Sequence, residues 1–258
     1  MSSSSRKRLI LLGLTLVPPL LVLAVGHPVA ALLLLLVLHL PLVVATLYPH
    51  SSWFGPVLSR LPTERPEMWL TIDDGPSADT AAVLDVLDEF QARATFFLVS
   101  DRASQRPDLV AAIRQRGHEI GNHTASHPAA WFWCLGPARM DEEVGRAQQV
   151  LASLSGERPR WFRSVAGHTN PFVAPALARH GLRRVSWSAR GYDAVSGRPD
   201  QVARRVSAGL RPGAIVLLHE GAAHGHSVAI LRRVLEAARA QGLAAVLPKS
   251  DAPRPASC

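Results

Sequence analysis

Cysteine is scarce in this sequence: 258 residues contain two, Cys134 and Cys258. Two cysteines so far apart make no disulfide framework, and neither stands in a Cys-x-x-Cys pair of the kind that holds zinc. Glycine has no three-residue period, which excludes a collagen, and an apolar content of 48% excludes a chain too polar to fold. Acidic residues are missing from one region altogether. The first fifty residues carry no Asp or Glu, and their charges are Arg6, Lys7 and Arg8 alone. The formal net charge of +8 reads as that of a solvated surface, so no nucleic-acid partner is expected.

Apolar residues fill the region that charge leaves. Residues 9–47 form an uncharged stretch of 39, broken once by Gly26-His27-Pro28. A membrane-crossing helix needs about 20 apolar residues. The two halves, 9–25 and 29–47, are each just long enough, and they predict a transmembrane helical hairpin occupying residues 1–48 and touching membrane lipid through 9–47. A signal peptide has the same opening order of basic residues, apolar run and small residues at Ala24-Val25-Gly26, but the second run would stop transfer even after cleavage. Basic residues precede the first run and recur at Arg60 and Arg65. By the positive-inside rule this favours the cytoplasmic side for both ends of an integral plasma-membrane protein. Residues 49–66 read as a linker and 249–258 as a disordered tail, leaving 67–248 for a folded domain.

Within 67–248 strand and helix patterns alternate. Strand-forming runs at 68–72, 95–99, 119–122, 161–163, 185–188, 215–218 and 244–247 are separated by stretches with apolar residues at helical spacing, such as Met140, Val144, Ala147, Leu151 and Leu154. Strict alternation predicts seven parallel strands with right-handed crossovers. About 180 residues are too few for a complete eightfold barrel of about 250, so an incomplete (β/α)7 barrel or an open doubly wound sheet fits.

In either architecture catalytic groups gather where strands end. The expected strand ends carry Asp73-Asp74-Gly75-Pro76, His123 with His127 four residues on, Arg163, Asp193 and His219. Two histidines and a carboxylate from another strand are a ligand set for Zn²⁺ or another borderline divalent ion, with coordination positions left open. Such an ion lowers the pKa of a water bound to it toward about 7. Of the adjacent Asp73 and Asp74, one can then serve as ligand and the other as base on the water.

These residues carry a resemblance. Thr71-Ile72-Asp73-Asp74-Gly75-Pro76 resembles the Thr-Phe-Asp-Asp-Gly-Pro signature of the NodB-type polysaccharide deacetylases, the fourth carbohydrate esterase family, and His123 to His127 resembles their His-[Ser/Thr]-x-x-His signature. The likeness continues in order through an arginine motif from Arg163 to Gly167, an aromatic-Asp segment ending at Asp193, and Leu217-Leu218-His219. It implies an incomplete (β/α)7 barrel with Asp73 as general base, Asp74, His123 and His127 as metal ligands, and His219 as general acid. Arg163 would orient Asp73, and Asp193 would tune His219. The implied cofactor is a divalent metal, zinc first, with cobalt, nickel or manganese as alternatives. The implied reaction removes an N-acetyl or N-formyl group from an amino sugar of a polysaccharide or lipid-linked glycan. An O-acetyl esterase and a membrane-bound glycan-binding protein with a vestigial site are the alternatives.

Two segments depart from the family pattern. Arg163-Ser164-Val165 stands where the family has Arg-x-Pro, and Arg190-Gly191-Tyr192-Asp193-Ala194 stands where it has Asp-x-x-Asp-Trp. The run Trp131-Phe132-Trp133-Cys134-Leu135, directly after the histidine motif, has no obvious position in a barrel core. It reads either as folding back over a helix or as facing a bilayer beside the site mouth.

Overall fold

The computed structural model describes residues 3–248, with side chains from residue 13 onward; the tail expected at 249–258 lies outside the described residues. The chain divides into two compact units, Met1–Tyr48 and Pro49–Cys258.

The first unit is two helices, α1 (Ser3–Ala24) and α2 (Pro28–Leu47). Gly26, at φ 85°, turns the chain between them through the left-handed region that glycine adopts without strain. Pro28 starts α2 where a missing N–H costs nothing. Among the described residues α2 alone is long and apolar enough to cross a membrane, and the apolar part of α1, Gly13–Ala24, falls short. Of the two crossings expected from the sequence, the described residues show one candidate span, α2. Along α2, Val29, Leu32, Leu33, Leu36, Val37 and Leu40 are all exposed. His39 hydrogen-bonds the Leu35 carbonyl through Nδ1, so its ring has a partner within the helix.

The second unit is the α/β half-barrel. Strands β1 (Glu67–Gly75), β2 (Ala94–Leu98), β3 (Glu119–Asn122), β4 (Trp161–Phe162), β5 (Arg183–Arg184), β6 (Ala189–Arg190) and β7 (Ile215–His219) form one curled parallel sheet in the order β5-β4-β3-β2-β1-β7-β6, and β8 (Ala244–Ala245) pairs with the start of β1. The helices α3 (Thr80–Glu89), α4 (Ser100–Gln105), α5 (Pro107–Gln115), α6 (Pro137–Ser155), α7 (Val173–His180), α8 (Pro199–Ser207) and α9 (Ser227–Ala240) complete the βα units.

Period-two alternation sorts β1 between two cores. Met68, Leu70 and Ile72 pack with Val83, Leu84, Leu231 and Val234 of α3 and α9 on the outside of the sheet. Trp69 packs inside the curl with Phe97, Trp161, Trp187 and Leu217. Thr71 and Asp73 follow Trp69 on that inner face, which carries Asp73 to the open end of the curl. The Trp69 indole N–H, buried there, donates to Thr95 Oγ1 at 2.8 Å, so the large ring is accommodated without an orphaned donor.

The single strand expected at 185–188 is instead the passage between two edges. Val185 N–H donates to the Phe162 carbonyl beside β4, Ser186 N–H to the Leu58 carbonyl, and Ser188 N–H to the Ile215 carbonyl beside β7. The chain changes partner at almost every residue, so regular pairing survives only as the two-residue strands β5 and β6. The same gap holds residues 49–66, which the sequence suggests as a linker. Leu58 bridges Val185 and Arg60 bridges Ala214, Leu61 N–H donates to the Gly213 carbonyl, and the Arg184 guanidinium donates to the Pro49 and Ser51 carbonyls. Unpaired strand edges need hydrogen-bond partners, and this segment supplies them.

Candidate active site

All seven residues marked by the sequence converge at the carboxyl end of the curl. Asp73 ends the inner face of β1, where its Cα is in register with His219 of β7. Asp74 would point toward the outer helices if alternation continued. It does not, because the β1–β2 register slips between Asp73 and Gly75 and leaves Asp74 as a bulge with φ 73°. The bulge turns a second carboxylate into the mouth that the first one faces.

The histidine loop is equally contorted. Thr124 and His127 both have left-handed backbone, at φ 69° and 55°. Such positions cost of order 1 to 3 kcal/mol each and persist where surroundings over-determine them. Here Asn122 Oδ1 accepts from Thr124 N–H and Thr124 Oγ1 accepts from His127 N–H. From α6, the buried Glu143 carboxylate accepts three hydrogen bonds from this loop, from the Ala125 and Ser126 N–H groups and from Ser126 Oγ at 2.7 Å.

The result is a compact donor set. His127 Nε2 lies 3.0 Å and His123 Nε2 3.4 Å from Asp74 Oδ1. His123 Nδ1 donates to the Arg163 carbonyl at 2.8 Å, which fixes the tautomer and leaves Nε2 with its lone pair toward the site. Asp74 Oδ1 is buried and accepts no hydrogen bond of good geometry, even with two imidazole nitrogens facing it. A buried carboxylate oxygen flanked by two imidazole nitrogens is an arrangement that a divalent cation completes. Two imidazoles and a carboxylate within 4.8 Å of one another fit zinc or a similar borderline ion. Burial alone would raise the Asp74 pKa, but the two imidazoles hold it well below the usual carboxylate range.

On one side of this set stands the Asp73–Arg163 pair. The fully buried Arg163 guanidinium donates to Asp73 Oδ1 at 2.9 Å, to Thr71 Oγ1 at 2.6 Å and to the Ser186 carbonyl at 2.9 Å. It lies over the Phe97 ring, 4.4 Å from the centroid. A buried charge of this kind is tolerable only with its partners in position. On the other side, His219 Nδ1 is 3.1 Å from Asp193 Oδ1, and Asp193 Oδ2 accepts the His219 backbone N–H. Burial by itself would lower the His219 pKa; the hydrogen-bonded Asp193, helped by Asp73 and Asp74, pushes it up to about 9. Arg190, at the position where the resemblance expects an acid, stacks on Tyr192 at 4.1 Å and leaves Asp193 to the histidine.

Residues 60–185 match the family described as polysaccharide deacetylase. A chitooligosaccharide deacetylase from Bradyrhizobium sp. (strain ANU 289) is 36% identical over 156 residues, covering 60% of this chain and 70% of that protein. A peptidoglycan-N-acetylglucosamine deacetylase of Bacillus cereus is 31% identical over 162 residues, 61% of this chain and 57% of that protein. Among solved structures, the family 4 carbohydrate esterase from Streptomyces lividans in complex with acetate superposes with a TM-score of 0.65 at 32% identity, covering 72% of this chain and 94% of that one. This chain belongs to the polysaccharide deacetylase family. The departures from the family's motifs at Val165 and Arg190 leave its donor set and its two flanking pairs assembled.

The motif reading passed over Glu143, Asn122 and Ser186, none of which belongs to a signature. Glu143 had a signal: it falls on the apolar face of α6 beside Met140 and Val144, where an acid is costly unless it has donors to meet. Ser186 had none, because it acts through its backbone carbonyl.

Proposed function

We propose that the chain is a metal-dependent hydrolase that removes the N-acetyl, or N-formyl, group from an amino sugar of a polysaccharide or lipid-linked glycan. The observation that carries this reading is the Asp74–His123–His127 donor set lying between a carboxylate paired with Arg163 and a histidine paired with Asp193. Asp74, His123 and His127 would hold the ion, zinc by preference. When bound it supplies Lewis acidity, polarising the acyl carbonyl and lowering the pKa of the attacking water.

The chain's own residues carry the proton transfers. Asp73, held in orientation by Arg163, accepts a proton from the attacking water as its oxygen bonds to the acyl carbon. The backbone N–H of Val165 or Ala166, in the turn Val165–Gly167 where Ala166 has φ 52°, donates to the developing oxyanion. His219 then protonates the nitrogen as the carbon–nitrogen bond breaks, leaving a free amine and a carboxylic acid. An amide nitrogen is a far poorer leaving group than an alkoxide, so an imidazolium held protonated by Asp193 favours N-deacylation over O-deacylation. The names of the Bradyrhizobium and Bacillus relatives agree with an N-acetylated amino sugar.

The sign of the pH dependence follows from this role. His219 donates only when protonated, so kcat/KM falls as pH rises through its pKa of about 9. Asp193→Asn removes the strongest raising influence. The alkaline limb is expected to move down by at least about one pH unit, costing about threefold or more at pH 8.5 and much less at pH 6. An unmoved alkaline limb in a folded variant would show that His219 is not the acid.

Two observations support a membrane-associated substrate. Helix α2 presents apolar side chains around its exposed surface. In the second unit, Trp131 and Trp133 are 65% and 44% exposed on the loop that follows His127, while Phe132 between them anchors the loop against Phe162. Asn170 fastens the same loop by donating to the Leu135 carbonyl at 3.0 Å. Exposed tryptophans on a fixed loop suit a bilayer interface, where an amphipathic ring is at home. On this reading α2 anchors an integral plasma-membrane protein.

The deciding experiment uses the full zinc-loaded chain in detergent, offered N-acetylglucosamine oligosaccharides and the same sugars on a polyprenyl lipid. Release of acetate with a matching count of free amines is expected. Release from O-acetylated sugars alone would transfer the assignment to an esterase, and metal binding with no release from any sugar would support the glycan-binding alternative. Trp131→Ala with Trp133→Ala should slow turnover of the lipid-linked substrate and spare the soluble one.

A further inference from the structure

Arg163 orients Asp73, and its own placement depends on a wall built partly from the first residues of the second unit. The Arg163 guanidinium donates to the Ser186 carbonyl at 2.9 Å. The hydroxyl of that same Ser186 shares a 3.1 Å hydrogen bond with His50 Nδ1. The His50 ring packs edge-on against Trp187 at 5.8 Å, and Trp187 in turn lies 5.9 Å under the Arg163 guanidinium. Pro49 closes the other side. A Cβ at Gly167, the last residue of the turn after Arg163, would come within 2.6 Å of Pro49 and 2.7 Å of Trp187. The segment is held down independently, since Arg184 donates to the Ser51 and Pro49 carbonyls.

We infer that His50 is a positioning residue for the deacylation step, acting through Ser186 on Arg163 and so on Asp73. The inference rests on the deacetylase reading above. Residues 49–51 then belong to the catalytic end of the half-barrel, although they follow α2 directly in sequence and stand more than a hundred residues from their partners. His50 faces Arg184 and Arg190 and is half-buried. Burial, with those two cations, lowers its pKa and keeps the ring neutral, as a hydrogen-bonding strut between cations should be. A neutral strut fixes geometry without adding charge beside Arg163.

The test uses the full zinc-loaded chain. His50→Ala and Ser186→Ala are each expected to lower kcat about fivefold to tenfold with KM within about twofold, the size of one misdirected hydrogen bond in the transition state. His50→Asn, which can offer a polar atom where Nδ1 stood, is expected to recover kcat to within about threefold of wild type. The double variant should be no slower than the slower single one, because both cut the same chain of contacts. Full kcat in both single variants, or multiplied losses in the double variant, would overturn the inference. Should His50→Ala fail to fold, Ser186→Ala and His50→Asn carry the comparison. A wild type that releases no acetate defeats the deacetylase reading itself, whereas an active wild type with unaffected variants defeats only the role of His50.

Discussion

His127→Ala is expected to strip the protein of its divalent ion and to lower deacylation by about a thousandfold or more. One of three ligands disappears, and the two that remain, His123 Nε2 and Asp74 Oδ1, sit only 3.4 Å apart and cannot enclose a cation from three sides. The ion's stabilisation of transition-state charge amounts to several kcal/mol, and each 1.4 kcal/mol is a factor of about ten in rate. His127 is partly exposed on a loop whose fold is fixed by Glu143 and Asn122, so the variant should still fold. Zinc content after dialysis, read beside acetate release, separates the two effects. A variant that keeps one equivalent of zinc at wild-type affinity would remove His127 from the ligand set. A variant that loses zinc and keeps its rate would remove the metal from the reaction.

Asp73→Asn should do the opposite to the metal and nearly the same to the rate. Asp73 contributes no atom to the donor set, so zinc content should hold while kcat falls by about a hundredfold to ten-thousandfold, the range for loss of a general base. A second consequence follows from Arg163. Asparagine can still accept a hydrogen bond from the guanidinium but leaves its charge uncompensated in the interior, where the remaining partners, Thr71 Oγ1 and the Val185 and Ser186 carbonyls, are all neutral. Breaking one side of a buried ion pair costs about 3 to 5 kcal/mol. Urea unfolding of the zinc-loaded variant should therefore report a loss of that order. A stable variant with wild-type turnover would show that Asp73 is neither the base nor the counter-ion that holds Arg163.

These two expectations depend on residues of different legibility. Asp73, His123, His127, Arg163, Asp193 and His219 could all be read from motifs, because each is a chemically distinctive residue at the end of a recognisable strand. The division of labour between Asp73 and Asp74 was implied by the family resemblance alone, and strand geometry gave no reason for it. Alternation predicts that neighbours on a strand face opposite sides, and only the bulge between β1 and β2 puts both carboxylates in one mouth. The role of Glu143 was hidden for a related reason: its donors in the histidine loop lie 17 or 18 residues away, and no local pattern records such a contact.

The fold divides in the same way. Seven short apolar runs alternating with helical patterns determined a parallel α/β sheet, since buried parallel strands have to read as apolar runs and crossovers have to be helical. The uncharged stretch before them determined where a membrane span could lie, because composition alone decides whether a helix can sit in hydrocarbon. Tertiary structure alone decided what becomes of residues 49–66 and 185–188. Neither segment has a strong periodicity, and their conformation answers to backbone groups left open at β5 and at the ends of β4 and β7 rather than to local preference. A curled sheet that does not close leaves backbone donors and acceptors exposed at its gap, and the chain nearest that gap is recruited to satisfy them. That recruitment brings His50, which has no motif, into hydrogen-bond reach of the wall that supports Arg163.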